Sequence, residues 1–163
     1  MNKLKYGLIV IYVLFVLLIT VLLFTFNKFS NSVVGNKIIT GINYNVDIYK
    51  TGDLLIGSKN MSITKGDRIL FYDIKNGKNH LSVAAVLDIK KTSDTTYVIR
   101  DNEFLSSEYV IGNTSLVKRI PLIGFLYLFF TSRIGYLLFV VVPIILYFVS
   151  VLRKYRKEWN IYL

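Results

Sequence analysis

The chain has 163 residues, 53% of them hydrophobic, and carries 20 Lys and Arg against 10 Asp and Glu. It has no cysteine and one histidine, which excludes disulfides and thiolate chemistry and leaves too few soft ligands for a zinc site. The net charge of +10 comes without the basic and aromatic pattern of a nucleic-acid-binding module. We therefore expect no nucleic-acid partner, no metal and no cofactor.

Two apolar segments lie near the ends of the chain. Residues 6–26 and 134–152 contain no charged side chain, and about 20 apolar residues are enough for a helix to cross a bilayer core. Both segments are predicted to be transmembrane helices. A cleaved signal peptide is the alternative for the first one. That segment is longer than an ordinary signal-peptide core, and no Ala-x-Ala cleavage site follows it.

Basic residues at the two ends predict the orientation in the membrane. Lys3 and Lys5 precede the first helix, and four basic residues within 153–157 follow the second. Short basic flanks stay on the cytoplasmic side. Residues 1–5 and the basic tail 153–163 are thus predicted to be cytoplasmic, and the domain over residues 27–119 to be extracytoplasmic.

The segment 120–133 lies between that domain and the second helix. Its aromatic side chains predict that it lies at the membrane interface, and the alternative is that it extends the second helix. The lipid bilayer is accordingly an expected partner. The sequence carries no sign of the oligomeric state.

The domain between the helices is predicted to be mainly β. Short runs rich in β-branched and aromatic residues alternate with turn signals, among them Asn76-Gly77, which is typical of a hairpin. Many short strands at this spacing predict a small barrel or sandwich. The runs are residues 46–49, 54–57, 68–72, 81–89, 96–100 and 109–118.

Three motifs occur in a fixed order along this domain. They are Gly52-Asp53 before an apolar run, Lys65-Gly66-Asp67 before a second run, and the tail Arg119-Ile120-Pro121-Leu122-Ile123-Gly124. The series resembles the type I signal peptidases, in particular their archaeal and endoplasmic-reticulum branch. This resemblance implies a signal-peptidase-like β domain beside a membrane, and a serine, a histidine and an aspartate as catalytic residues.

Neither the serine nor the histidine is found at its matching place. Counting back from Gly52-Asp53 places Tyr44 at the serine position, and a slip of two residues would place Ile42 there instead. In the apolar run 81–89, Ala84 takes the histidine position. The aspartate position is filled by Asp101. A serine hydroxyl needs a neighbouring base to become nucleophilic, so these replacements predict a loss of peptidase chemistry.

The resemblance also implies a substrate groove beside these positions. Its predicted lining residues are Asn43, Tyr44, Asn45, Val83 and Ala84. The implied ligand is an extended preprotein or signal-peptide segment, held by main-chain pairing along a strand. The chain is thus expected to be a catalytically inactive homologue that binds exported, membrane-tethered proteins, such as pilus-type surface proteins, or assists their assembly.

Two alternatives stay open from the sequence. One is an active signal peptidase with His80 as its base and Ser58 or Ser62 as its nucleophile. The other is a small envelope β domain that shares only ancestry with the peptidases.

Overall fold

A computed structural model describes residues 2–26, 29, 31–59, 61–75, 78–91, 95–100 and 103–159 of the chain. Contacts divide the chain into two units, one formed by Met1–Val21 with Phe129–Leu163 and the other by Leu22–Leu128. The first unit is helical, and the second is mainly β.

In the described part of the chain, two helical stretches are long and apolar enough to cross a membrane. The first, α1, covers Asn2–Phe24, and its apolar stretch is Tyr6–Phe24. The second apolar stretch, Arg133–Arg153, runs through the short helix α3 (Arg133–Tyr136), a π-helical turn (Leu137–Val141) and α4 (Val142–Trp159). The helix α2 (Ile123–Phe130) ends before α3 begins, so the chain does not continue as one helix from residue 120.

The described residues of the β unit form ten strands in three antiparallel sheets. Their spatial orders are β1-β2-β3-β10, β5-β4-β9 and β6-β7-β8. The strands are β1 (Ser32–Val34), β2 (Lys37–Gly41), β3 (Leu54–Ser58), β4 (Arg68–Lys75), β5 (Lys78–Ala85), β6 (Asp88–Lys91), β7 (Thr95–Ile99), β8 (Glu103–Ser106), β9 (Val110–Asn113) and β10 (Lys118–Ile120).

The sheet β5-β4-β9 lies between two hydrophobic cores. Because side chains alternate across a strand, Leu70 and Leu81 enter one core with Leu55 of β3. Ile69 and Ala84 enter the other core, with residues of β7 and β8. The three sheets therefore stack, and the described strands form no closed barrel, since sheets of three or four strands are too small to close.

Several predicted strand limits differ from the observed ones. The run 46–49 is a turn closed by the Val46–Tyr49 bridge, with Asp47 at φ +51°. The runs 81–89 and 109–118 each divide into two strands. Strands β4 and β5 pair from Arg68↔Ala85 to Lys75↔Lys78, so the predicted hairpin forms, although Asn76-Gly77 itself lies outside the described residues.

Candidate functional site

The two Gly-Asp motifs build the same turn twice. In Lys50–Asp53 and in Thr64–Asp67, the aspartate N–H donates to the carbonyl of the first residue, at 3.0 and 3.1 Å. One aspartate oxygen accepts the N–H of that same first residue, at 2.7 Å in both turns. The glycine has φ +86° in the first turn and +92° in the second, a region that favours glycine. These motifs are therefore turn-forming elements, which deliver the chain into β3 and β4.

The Arg-Ile-Pro tail packs against the first of these turns. Arg119 forms an ion pair with the buried Asp53, and the N–H of Gly124 donates to the Gly52 carbonyl at 2.9 Å. A Cβ atom on Gly124 would lie 2.2 Å from the carbonyl oxygen of Asp53, so only glycine fits there. Two motifs that are far apart in the sequence thus form one framework.

Tyr44 lies in the loop between β2 and β3, and its half-buried side chain reaches the edge of β5. The N–H of Leu81 donates a short hydrogen bond to the Tyr44 hydroxyl oxygen. Burial raises the pKa of Tyr44 above its usual value of 10.0, and the hydrogen bond from Leu81 offsets part of that increase. Asn45, which is exposed, accepts hydrogen bonds from the N–H and hydroxyl of Thr51, at 2.9 and 3.1 Å, and so fixes the loop.

An open cleft of about 410 Å³ lies beside Tyr44 and the outer edge of β5. The cleft contains three charged side chains. Arg68 pairs with Asp47 at 3.0 Å, and Arg100 donates to the backbone carbonyl of Val83 at 3.2 Å. The residues that line it are Tyr44, Asn45, Val46, Asp47, Arg68, Leu81, Ser82, Val83 and Arg100.

The structure brings together most of the predicted groove residues. Tyr44, Asn45 and Val83 line this cleft, and Asn43 lines an adjoining cleft of about 140 Å³ together with Tyr44. Ala84 does not line either cleft. It is 6% exposed and lies in the second core, because it projects from the opposite face of β5.

The residues of the alternative catalytic site are not assembled. The His80 ring lies 5.7 Å from the Tyr44 ring, measured between centroids. Ser58 lines a separate cavity of about 350 Å³, and Ser62 is exposed. Within the described part of the chain, neither serine forms a hydrogen bond with His80. Asp101 lies outside the described residues.

Two cleft residues, Arg68 and Arg100, are not found by the sequence reasoning. Arg68 directly follows the Lys65-Gly66-Asp67 motif and Arg100 directly precedes Asp101, but position alone does not reveal that both guanidinium groups reach one cleft. Among the described residues, no group of three or more His, Cys, Asp or Glu side chains is arranged to hold a metal ion.

No protein-family model, curated protein or solved structure matches this chain. The resemblance to signal peptidases therefore rests on the motifs quoted above.

Proposed function

We propose that this chain is a membrane-anchored, signal-peptidase-like protein without peptidase activity, which binds extended segments of exported proteins. One observation carries the proposal: the hydroxyl of Tyr44, which the resemblance matches to the nucleophile position, accepts a hydrogen bond from the edge of β5. In this proposal, the residue in place of the nucleophile contacts the strand along which a peptide pairs.

The chemistry around Tyr44 favours binding over catalysis. Burial raises the pKa of its phenol, so the hydroxyl stays protonated at neutral pH and is a poor nucleophile. The second predicted catalytic position, Ala84, carries no base and faces a hydrophobic core. Without a nucleophile and a base, the covalent route of a serine peptidase is closed, whereas the cleft is still open to a ligand.

A strand edge beside an open cleft suits peptide recognition. An extended peptide gains affinity by main-chain pairing along the edge, and the cleft gives room for its side chains. β5 ends its sheet, since its one partner among the described strands is β4. The proposed ligand is therefore an exported preprotein or a signal-peptide segment.

The proposal includes a membrane arrangement that suits a client of that kind. In this proposal, both apolar helices span the cell membrane, and the basic flanks keep both termini in the cytoplasm. The β unit then lies outside, where membrane-tethered exported proteins emerge. The α2 helix exposes Phe125 and Phe129, aromatic side chains that suit the headgroup region of the bilayer.

Two assays on the full-length protein in membranes test this function. In the first, p-benzoylphenylalanine replaces Asn43 or Asn45, and crosslinking to a membrane-tethered secreted reporter is measured. Replacement of Lys90, an exposed residue of β6, is the matched control. We expect crosslinks from the first two positions and none from Lys90.

The second assay measures cleavage of a signal-peptide reporter. We expect none from the wild type. Cleavage that disappears in His80→Ala would instead establish the active peptidase. If neither crosslinking nor cleavage is observed, the alternative that survives is a β domain that shares only ancestry with the peptidases.

A further inference from the structure

The outer edge of β5 presents main-chain groups away from its sheet. The N–H of Leu81 donates to Tyr44, so it points away from β4. In an antiparallel pair, residues two apart direct their N–H and C=O groups to the same side. Val83 therefore shares this outward direction with Leu81, and its carbonyl accepts from Arg100.

Two side chains from outside the sheet occupy these outward groups. Tyr44 comes from the loop before β3, and Arg100 directly follows β7. Tyr44 covers a donor of the edge, the N–H of Leu81, and Arg100 covers an acceptor, the carbonyl of Val83. Side chains that cover an edge prevent unwanted strand pairing, and each of these two contacts is a single hydrogen bond.

The two arginines of the cleft differ in their partners among the described residues. Arg68 has Asp47 as its counter-ion, whereas Arg100 is exposed and bonded to a neutral carbonyl. Among the described residues no carboxylate pairs with Arg100. An acidic side chain of a bound peptide would give Arg100 a charged partner.

We propose that Tyr44 and Arg100 form a removable cap on β5, and that the ligand which displaces them is an extended peptide with an acidic side chain. This inference rests on the proposed binding function. On binding, the N–H of Leu81 gives up its hydrogen bond to the Tyr44 hydroxyl and donates instead to a peptide carbonyl. Arg100 leaves the Val83 carbonyl, which then accepts a peptide N–H, and the guanidinium pairs with the peptide carboxylate.

Binding is measured with the full chain in nanodiscs, with empty nanodiscs as the blank. The probe is a fluorescein-labelled peptide of about nine alternating Thr and Val residues, the length of a long strand, with a central Asp. Tyr44→Phe should bind it about three- to tenfold more tightly, because no hydroxyl competes for the N–H of Leu81. Amide exchange at Leu81 should also become faster in this variant.

Tyr49→Phe is the matched control, since the Tyr49 hydroxyl donates to the Thr114 carbonyl and not to β5. Its affinity should equal that of the wild type. A second probe carries Asn in place of the central Asp. The wild type should prefer Asp by about two- to fivefold, and Arg100→Gln should remove the preference.

Three results would overturn the cap. They are equal affinity of Tyr44→Phe and Tyr49→Phe for the Asp peptide, an Asp preference that survives in Arg100→Gln, and equal binding of a probe whose alternate amides are N-methylated. If the wild type binds the peptide but the first result holds, the binding function survives and the cap fails. If no probe binds any variant and no client crosslinks at Asn43 or Asn45, both proposals fail.

Discussion

The Arg119 Nε atom lies 2.5 Å from Oδ2 of Asp53, a carboxylate whose side chain is 3% exposed. Arg119 lies on β10, which pairs with β3 directly after Asp53. The same Oδ2 accepts the backbone N–H of Lys50 at 2.7 Å. The ion pair thus fixes the turn before β3 to the strand that leads out of the domain, so the family-like motifs have a structural role that is independent of catalysis.

Replacing Arg119 with Gln should destabilise the protein, because a buried carboxylate then loses its charged partner. We expect the free energy of unfolding to fall by about 1.5–3 kcal/mol, the range for hydrogen bonds to charged groups. Chemical unfolding of the full-length protein in micelles measures this change. Arg68→Gln is the matched control. Its pair with Asp47 is exposed, and its loss should cost less than about 1 kcal/mol. Equal losses in the two variants would contradict the structural role of Arg119.

Asp67 should make the stability depend on pH. The backbone N–H and then the hydroxyl of Thr64 donate to its carboxylate, which lowers its pKa below the usual 3.8. A depressed pKa in the folded state gives stability that is present above the unfolded value and is lost as the pH falls through the folded value. Asp67→Asn should therefore melt below the wild type at pH 7, and the gap should close below about pH 3.8.

Melting temperatures of the full chain between pH 2 and 7 test this dependence. Asp88→Asn, on the exposed face of β6, removes the same charge without these hydrogen bonds and serves as the control. A melting difference for Asp67→Asn that stays constant over the whole range would count against the mechanism.

The helical unit contains a hydrogen bond that was not predicted from the sequence. Pro143 has no N–H, so it cannot donate to the carbonyl of Phe139, four residues earlier. The Tyr12 hydroxyl of α1 donates to that carbonyl at 3.0 Å. If the helical unit spans the membrane as proposed, Tyr12→Phe should weaken it by about 0.6 kcal/mol and by at most about 1.7 kcal/mol, the mean and the maximum for hydrogen bonds between transmembrane helices.

Unfolding of the full chain in bicelles titrated with SDS measures the loss at Tyr12. Tyr6→Phe is the control, since Tyr6 is 68% exposed on the same helix. The same decrease in both variants would show that the bond to Phe139 contributes nothing.

The sequence predicted the parts of the fold that local chemistry decides. Apolar length marks both long helices, and glycine marks the turns before β3 and β4, since its positive φ is needed there. The prediction of a strand over residues 46–49 was wrong, because β-branched and aromatic residues also fit a buried turn. Strands β1 and β8 have three and four residues, too few to show a period of two.

At the candidate site, less could be predicted from the sequence than in the fold. The assignment of Tyr44 to the nucleophile position rests on counting from Gly52-Asp53 and stays a prediction, whereas the contact of Tyr44, in the loop before β3, with β5 is seen in the structure. Which face of β5 meets this loop depends on how the three sheets stack. Alternation along a strand gives two faces but does not say which of them is next to Tyr44. Ala84 and Val83 were therefore assigned to one groove, although they project to opposite faces.

Val83 and Ala84 project to opposite faces of β5, and this arrangement predicts the effect of substitutions that aim to restore peptidase activity. In Ala84→His the imidazole would enter the core that holds Ile69 and Phe71, so the free energy of unfolding should fall by about 1–3 kcal/mol. Val83 is partly exposed in the cleft, and Val83→His should cost less. Combining Tyr44→Ser with Ala84→His should give no cleavage of a signal-peptide reporter, since the new base cannot reach the new hydroxyl. Cleavage by that double variant, with normal stability, would mean that residue 84 faces the cleft and that the assigned faces of β5 are reversed.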